Sequence, residues 1–129
     1  MEYATLSNGI KMPMIGYGVY QIEPQEAERC VAEALEVGYR MVDTAQAYRN
    51  EEGVGAAVRK SGLKREEVFL VSKIWISNYG AEKAAASIDE SLRKLQTDYI
   101  CSTSHSATAT ARTTPWRRHT KRARSVPSA

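Results

Sequence analysis

The chain has 129 residues and is 43% hydrophobic, which suits one small globular domain and excludes a disordered protein. Its net charge of +3 averages two unlike parts. Residues 1–100 hold 12 of the 18 Lys and Arg and all 15 Asp and Glu, a net −3, while residues 101–129 hold only cations, a net +6. The composition changes sharply near Ile100, and that is the main boundary expected in the chain.

Thr5 to Met12 reads as a β-hairpin, with Asn8-Gly9 expected to supply the two positive-φ positions of a type I′ turn. Pro13 interrupts, and Met14 to Gly18 is expected as the first strand of a sheet. Pro24 to Val37 has the spacing of an amphipathic helix, with Ala27, Val31, Ala34 and Leu35 on one stripe, proline at its first position and Gly38 past its end. Arg40 to Asp43 follows as a second strand. Asn50 is expected to cap a helix over 50–60, with Glu51 and Glu52 in its first turn and Val54, Ala57 and Val58 inward. Lys64 to Glu67 adds a helical turn. Val68 to Val71 is a continuous apolar run, as expected of a parallel strand covered on both faces, and the strand is expected to end at Lys73. Gly80 to Leu95 is the third helix, burying Ala84, Ile88, Leu92 and Leu95, and a fourth strand is expected to begin near Asp98. Strands that alternate with helices argue for a parallel α/β fold. No apolar run is long enough for a membrane span, and Met1-Glu2-Tyr3-Ala4 has no signal-peptide character. Cys30 and Cys101 lie far apart and Cys30 falls on a buried stripe, so a reducing compartment, the cytoplasm, is expected rather than a disulfide framework. No metal site is expected.

The chemistry concentrates between Gly38 and Gly55. Asp43 ends a strand, Tyr48 follows on the next loop, and Lys73 ends the next strand, which is where a β/α enzyme places catalytic groups. The pattern G-Y-R-x-x-D-T-A, then Tyr48, then E-x-x-V-G closely resembles the signature of the aldo-keto reductases, nicotinamide-dependent carbonyl reductases on a (β/α)8 barrel. The resemblance covers residues 1–100. It implies the amino-terminal part of such a barrel, a hairpin plus about three βα units, with the hairpin plugging the bottom. It also implies that Tyr48 donates the proton in carbonyl reduction, that Lys73 tunes it, and that Asp43 orients Lys73 beside the nicotinamide ribose. A tyrosine with an ordinary pKa near 10 needs such a neighbouring cation to serve as an acid. Gly18, Val19 and Tyr20, with Asp43, are the implied contacts to NADPH or NADH. Tyr20, Tyr48 and Trp75 are the implied substrate contacts. Gly16-Tyr17-Gly18 is not a Rossmann fingerprint, because Gln21 stands where its third glycine would be.

Beyond Ile100 the apolar periodicity stops, and residues 101–129 are expected to be a disordered basic tail unrelated to the family. His105 falls one position short of the histidine that the family carries after its fourth strand, and is read as no part of the site. His119 sits amid Arg117, Arg118, Lys121, Arg122 and Arg124, but with no fold motif this reads as a solvated tail rather than a nucleic-acid site. Shifting the reading frame from Pro115 onward allows codons for Met-Glu-Glu-Ala-Tyr-Lys-Ala-Gly-Lys-Val-Arg-Ala-Ile-Gly, similar to the family's next helix and strand, so a frameshift in the coding sequence is expected. The expected parent reduces small aldehydes or ketones. The truncated chain itself is expected to be inactive, to bind no cofactor, and to self-associate through its open sheet edges. The alternative is a non-catalytic half-barrel interaction protein with a basic tail.

Overall fold

The computed structural model of the chain describes residues 2–78, 80–104 and 114–115. An antiparallel hairpin of β1 (Tyr3–Thr5) and β2 (Lys11–Pro13) comes first. It is followed by β3 (Tyr17–Gly18), α1 (Pro24–Val37), β4 (Met41–Asp43), α2 (Glu51–Lys60), β5 (Phe69–Ile74), α3 (Ala81–Leu95), β6 (Cys101–Ser104) and β7 (Thr114–Pro115). Strands β3 to β6 pair in parallel and in chain order, and β7 adds antiparallel to the far edge of β6.

Side-chain alternation fixes the two faces of this sheet. Val42 stands in register with Leu70, and both are buried together with Val31 of α1, Val54 of α2 and Ile88 of α3. The residues between them, Met41, Asp43, Phe69, Val71 and Lys73, share the opposite face and are only half-buried. All three helices therefore cover one face, and the strand order never reverses. That is the arrangement of a barrel wall rather than of a doubly wound sheet, so the fold is part of an α/β barrel. Val42 therefore lies on the helix side, and its neighbours Met41 and Asp43 take the opposite face.

The helices end and pack as their sequences require. Gly38 adopts φ 115° and closes α1 with the Gly38 N–H on the Leu35 carbonyl and the Tyr39 N–H on the Ala34 carbonyl, a Schellman pattern. Helix α2 is wedged between its neighbours by two glycines. A Cβ on Gly53 would stand 2.8 Å from the Ala27 Cβ, and one on Gly55 would stand 2.5 Å from the Leu95 carbonyl oxygen.

Four expectations need correction. The hairpin has positive φ at Gly9 but not at Asn8, so its turn is not type I′. The Gly9 N–H bonds the Leu6 carbonyl and the Ile10 N–H bonds Asn8 Oδ1, a three-residue loop with glycine at its left-handed position. The strand expected over 14–18 is only Tyr17–Gly18, since the Met14 N–H still bonds the Glu2 carbonyl and belongs to the hairpin. The fourth strand forms at Cys101–Ser104 rather than from Asp98, so the sheet continues past the change in composition at Ile100. Backbone pairing to β5 accounts for this, since a parallel ladder uses N–H and C=O groups that Ser and Thr supply as well as Val does. Residues 114–115 of the expected tail also pair, as β7, while His105, Trp116 and the basic cluster lie outside the described residues.

Gly55→Ala should lower stability by about 1–3 kcal/mol, because the new methyl meets backbone rather than a side chain that can move. Gly18→Ala, with no atom within 4 Å of its Cβ position, should change stability little. Urea denaturation of the two variants, compared at unchanged m, reads the difference.

Candidate functional site

Because β4 and β5 are parallel and in register, Asp43 and Lys73 emerge at the carboxyl ends of adjacent strands on the same face. The Lys73 ammonium donates to Asp43 Oδ1 and, at 3.2 Å, to the Thr44 carbonyl. The lysine side chain is 21% exposed and the aspartate 40%, so the pair sits at the rim of the sheet, neither sealed nor fully in water. A cation in such a place favours negative charge on any group brought beside it.

The next residues bring an aromatic ring to this pair. After Asp43 the chain makes one 3-10 turn over Gln46–Tyr48, and Arg49 reverses it with φ 59°. This brings the Tyr48 ring over Lys73, with Nζ 5.4 Å from the ring centroid. Tyr20 approaches the same ring edge-on at 5.1 Å between centroids. Gln46 anchors the turn on its other side. Its amide donates to the Ser87 carbonyl and Ser91 Oγ of α3, and its Oε1 accepts from the Trp75 N–H at 2.8 Å and from Asn78 Nδ2 at 3.0 Å.

Beneath the ion pair, on the helix side, lies a layer of buried polar groups. Thr44 Oγ1 donates to Asn50 Oδ1 at 2.7 Å, and Asn50 Nδ2 donates to the carbonyls of Val19 and Ile22 at 3.0 and 3.1 Å. Ser72 Oγ donates to the carboxylate of Glu51, which is 2% exposed. Asn50 is thus at the cap position of α2 but makes no side-chain cap bond, and its amide is spent on the segment between β3 and α1 instead.

Asp43, Tyr48, Lys73 and Tyr20 are brought together, and Gly18 stands in register with Asp43. Val19 is not brought to this surface. Its side chain is fully buried in the core, and its backbone N–H donates to the Asp43 carbonyl. Trp75, 39% exposed, is tied through its backbone to Gln46. His105 lies outside the described residues. The reading of the sequence missed Thr44, Gln46, Asn50, Glu51 and Ser72. Thr44 stood in the D-T-A motif, Asn50 and Glu51 stood at the start of the expected helix, and Ser72 broke the apolar run before Lys73. A cavity of about 450 Å³ lies at the opposite end of the sheet, between the hairpin and the amino ends of the strands, with Tyr3, Ile10, Val68, Phe69 and Tyr99 in its wall.

A family model described as "Aldo/keto reductase family" matches residues 6–101. The glyoxal reductase of Bacillus subtilis (strain 168) is 46% identical over 96 residues, covering 74% of this chain and 35% of that protein. The methylglyoxal reductase DkgA of Escherichia coli (strain K12) is 45% identical over 95 residues, covering 74% and 34%. The crystal structure of an aldo/keto reductase from Brucella melitensis superposes with a TM-score of 0.78 at 46% identity, covering 81% of this chain and 40% of that one. The aldose reductase of Schistosoma japonicum superposes with a TM-score of 0.74 at 36% identity, covering 78% and 35%. The chain spans about a third of the length of the curated relatives it matches.

Cys101 stands in register with Val71, on the face that carries Asp43, and is buried. Burial first, then the Asp43 carboxylate, pushes its thiol pKa up. The thiol should therefore stay protonated at neutral pH, and unfolding in urea should speed its alkylation about tenfold or more. Timed iodoacetamide labelling with mass spectrometry measures this. By linkage, the neutral thiol should cost no stability below the ordinary thiol pKa, and stability should fall as pH rises toward the raised folded-state value.

Proposed function

The chain belongs to the aldo/keto reductase family, and we propose that its parent protein is an oxidoreductase that reduces small aldehydes or ketones to alcohols with NADPH or NADH. The observation that carries this reading is the Asp43–Lys73 ion pair beneath the Tyr48 ring at the carboxyl ends of parallel strands. Relatives named for glyoxal and methylglyoxal support a small aldehyde as substrate.

The described residues fit the nicotinamide end of the cofactor. Gly18 leaves open space where a Cβ would stand, next to the half-exposed Asp43 carboxylate in register with it. A ribose hydroxyl could donate to that carboxylate, and Tyr20, 63% exposed, offers an aromatic flank. When bound, the nicotinamide supplies a hydride. The chain's own residues handle the proton. The Tyr48 hydroxyl donates it to the carbonyl oxygen, which becomes the alcohol. The Lys73 ammonium offsets the charge left on the phenol oxygen, and Asp43 keeps Lys73 beneath the ring. Trp75, at the end of β5, is proposed to flank the substrate.

We assign the 129-residue chain itself no reductase activity. Positioning supplies much of an enzyme's rate, and the chain corresponds to a third of its relatives' length. Residues beyond 100 read as frame-shifted sequence of the same parent, which sequencing codons 98–115 tests directly. The half-buried Met41, Phe69 and Val71 and the edge of β3 favour self-association of the chain. Both cysteines are free, in keeping with a reducing, cytoplasmic location.

Two outcomes test this reading. In a frame-restored, full-length protein, Tyr48→Phe should lower kcat about 10²–10⁴-fold, the usual worth of a general acid, with NADPH affinity unchanged. Near-normal turnover by that variant would refute the assignment. The purified 129-residue chain, its end at Ala129 confirmed by intact mass, should show no NADPH fluorescence change and no turnover. Tight cofactor binding would overturn its proposed inactivity.

A further inference from the structure

We infer that Thr44 is a positioning residue whose hydroxyl, bonded to Asn50, clasps shut the loop that carries Tyr48. The inference deepens the proposed function and rests on its placing of the chemistry at Tyr48.

Thr44 and Asn50 bracket the loop. Between them lie Ala45, the 3-10 turn over Gln46–Tyr48, and Arg49 in the left-handed region. A left-handed conformation at a non-glycine residue carries an energetic cost and persists only where the surroundings hold it. The surroundings here are Gln46, which ties the turn to α3, Trp75 and Asn78, and the two ends of the loop, which set where it begins and ends. Thr44 Oγ1 donates to Asn50 Oδ1 at 2.7 Å, with Thr44 fully buried and Asn50 1% exposed. Thr44 is itself immobile, because its N–H donates to the Val71 carbonyl at 2.8 Å and its carbonyl accepts from Lys73 Nζ at 3.2 Å. Asn50 is held by the Val19 and Ile22 carbonyls and begins α2, its own carbonyl accepting from the Val54 N–H.

One hydroxyl therefore joins three parts of the site. It links the strand end that carries Asp43, the lysine that bonds the Thr44 carbonyl, and the segment after β3 that carries Tyr20. A threonine that merely filled the core could be replaced by valine at almost equal volume. The clasp requires the oxygen, since without it Asn50 Oδ1 is buried with no donor.

The test compares Thr44→Val with Thr44→Ser in the 129-residue chain, using proton NOEs in protein that is deuterated except for tyrosine and lysine. This reads geometry and needs no turnover, so its failure is distinct from failure of the proposed chemistry. In the parent chain, the Tyr48 ring should show NOEs to the Lys73 side chain and to Tyr20. The Tyr17–Tyr39 pair, 5.5 Å between centroids and away from the loop, serves as control. Thr44→Val should lose both Tyr48 contacts and keep Tyr17–Tyr39, and Thr44→Ser should keep all three. Retention of the Tyr48 contacts in Thr44→Val would overturn the inference. So would their absence from the parent chain or from Thr44→Ser. Loss of the control pair together with them would assign Thr44 a general stabilising role and overturn it as well.

Discussion

Burial of Val42 and Leu70 under the helices is the constraint from which the site follows. A strand's side chains alternate, so fixing these two residues inward on the helix side forces Asp43 and Lys73 onto the other face. Parallel pairing then brings both residues to the same end of the sheet. The ion pair needs no separate explanation for its existence, only for its exact approach. A one-residue slip of β5 would put Lys73 among the core valines and Ser72 at the rim, losing the apolar contacts of Leu70 and leaving a charge without water.

The approach is set by polar groups that a core would ordinarily exclude. Thr44, Asn50, Glu51 and Ser72 are all nearly inaccessible, and each has a partner. Burying an unpaired polar group costs about 1–3 kcal/mol, so such a layer is tolerable only when every member is satisfied. A satisfied layer also rejects alternatives, since a small shift of α2 along the sheet would break several bonds together. The glycine contacts of α2 with Ala27 and Leu95 act in the same direction, because they leave the helix little room to move. Apolar packing thus decides which face each residue occupies, and the hydrogen bonds decide where along the sheet the loop over Gln46–Tyr48 begins and ends.

The regular elements were legible because their signals are local and periodic. The α1 stripe of Ala27, Val31, Ala34 and Leu35 is buried as spaced, and Gly38 ends the helix in the left-handed conformation its position suggested. The grouping of Asp43, Tyr48 and Lys73 came from the motif and its family likeness rather than from periodicity. What escaped were features decided by contacts distant in sequence. Asn50 reads as a cap from its neighbours, yet its amide answers carbonyls at Val19 and Ile22. Val19 lies beside exposed Tyr20 in sequence but points into the core. Asn8-Gly9 failed as a type I′ turn because only one of the pair takes positive φ, and the dipeptide alone does not separate a two-residue loop from a three-residue one. A fourth strand was expected, but its span at Cys101–Ser104 escaped for the opposite reason, since its pairing comes from β5 and owes little to its own Ser- and Thr-rich sequence.

The locality of these ties bears on how the proposed chemistry divides between proton and cofactor. Every side-chain hydrogen bond described around Asp43, Tyr48 and Lys73 closes within residues 19–91, inside the span matched by the family model. On the proposed reading, the proton-handling groups Tyr48, Lys73 and Asp43 are tied to one another within that span. Cofactor binding differs in kind, because a dinucleotide is long and gains affinity from contacts spread along it. On the proposed reading, Gly18, Tyr20 and Asp43 meet only its nicotinamide end. A site can be well ordered for acid catalysis and still lack the affinity that brings a hydride to it, since the order comes from short-range hydrogen bonds and the affinity from the sum over a larger surface.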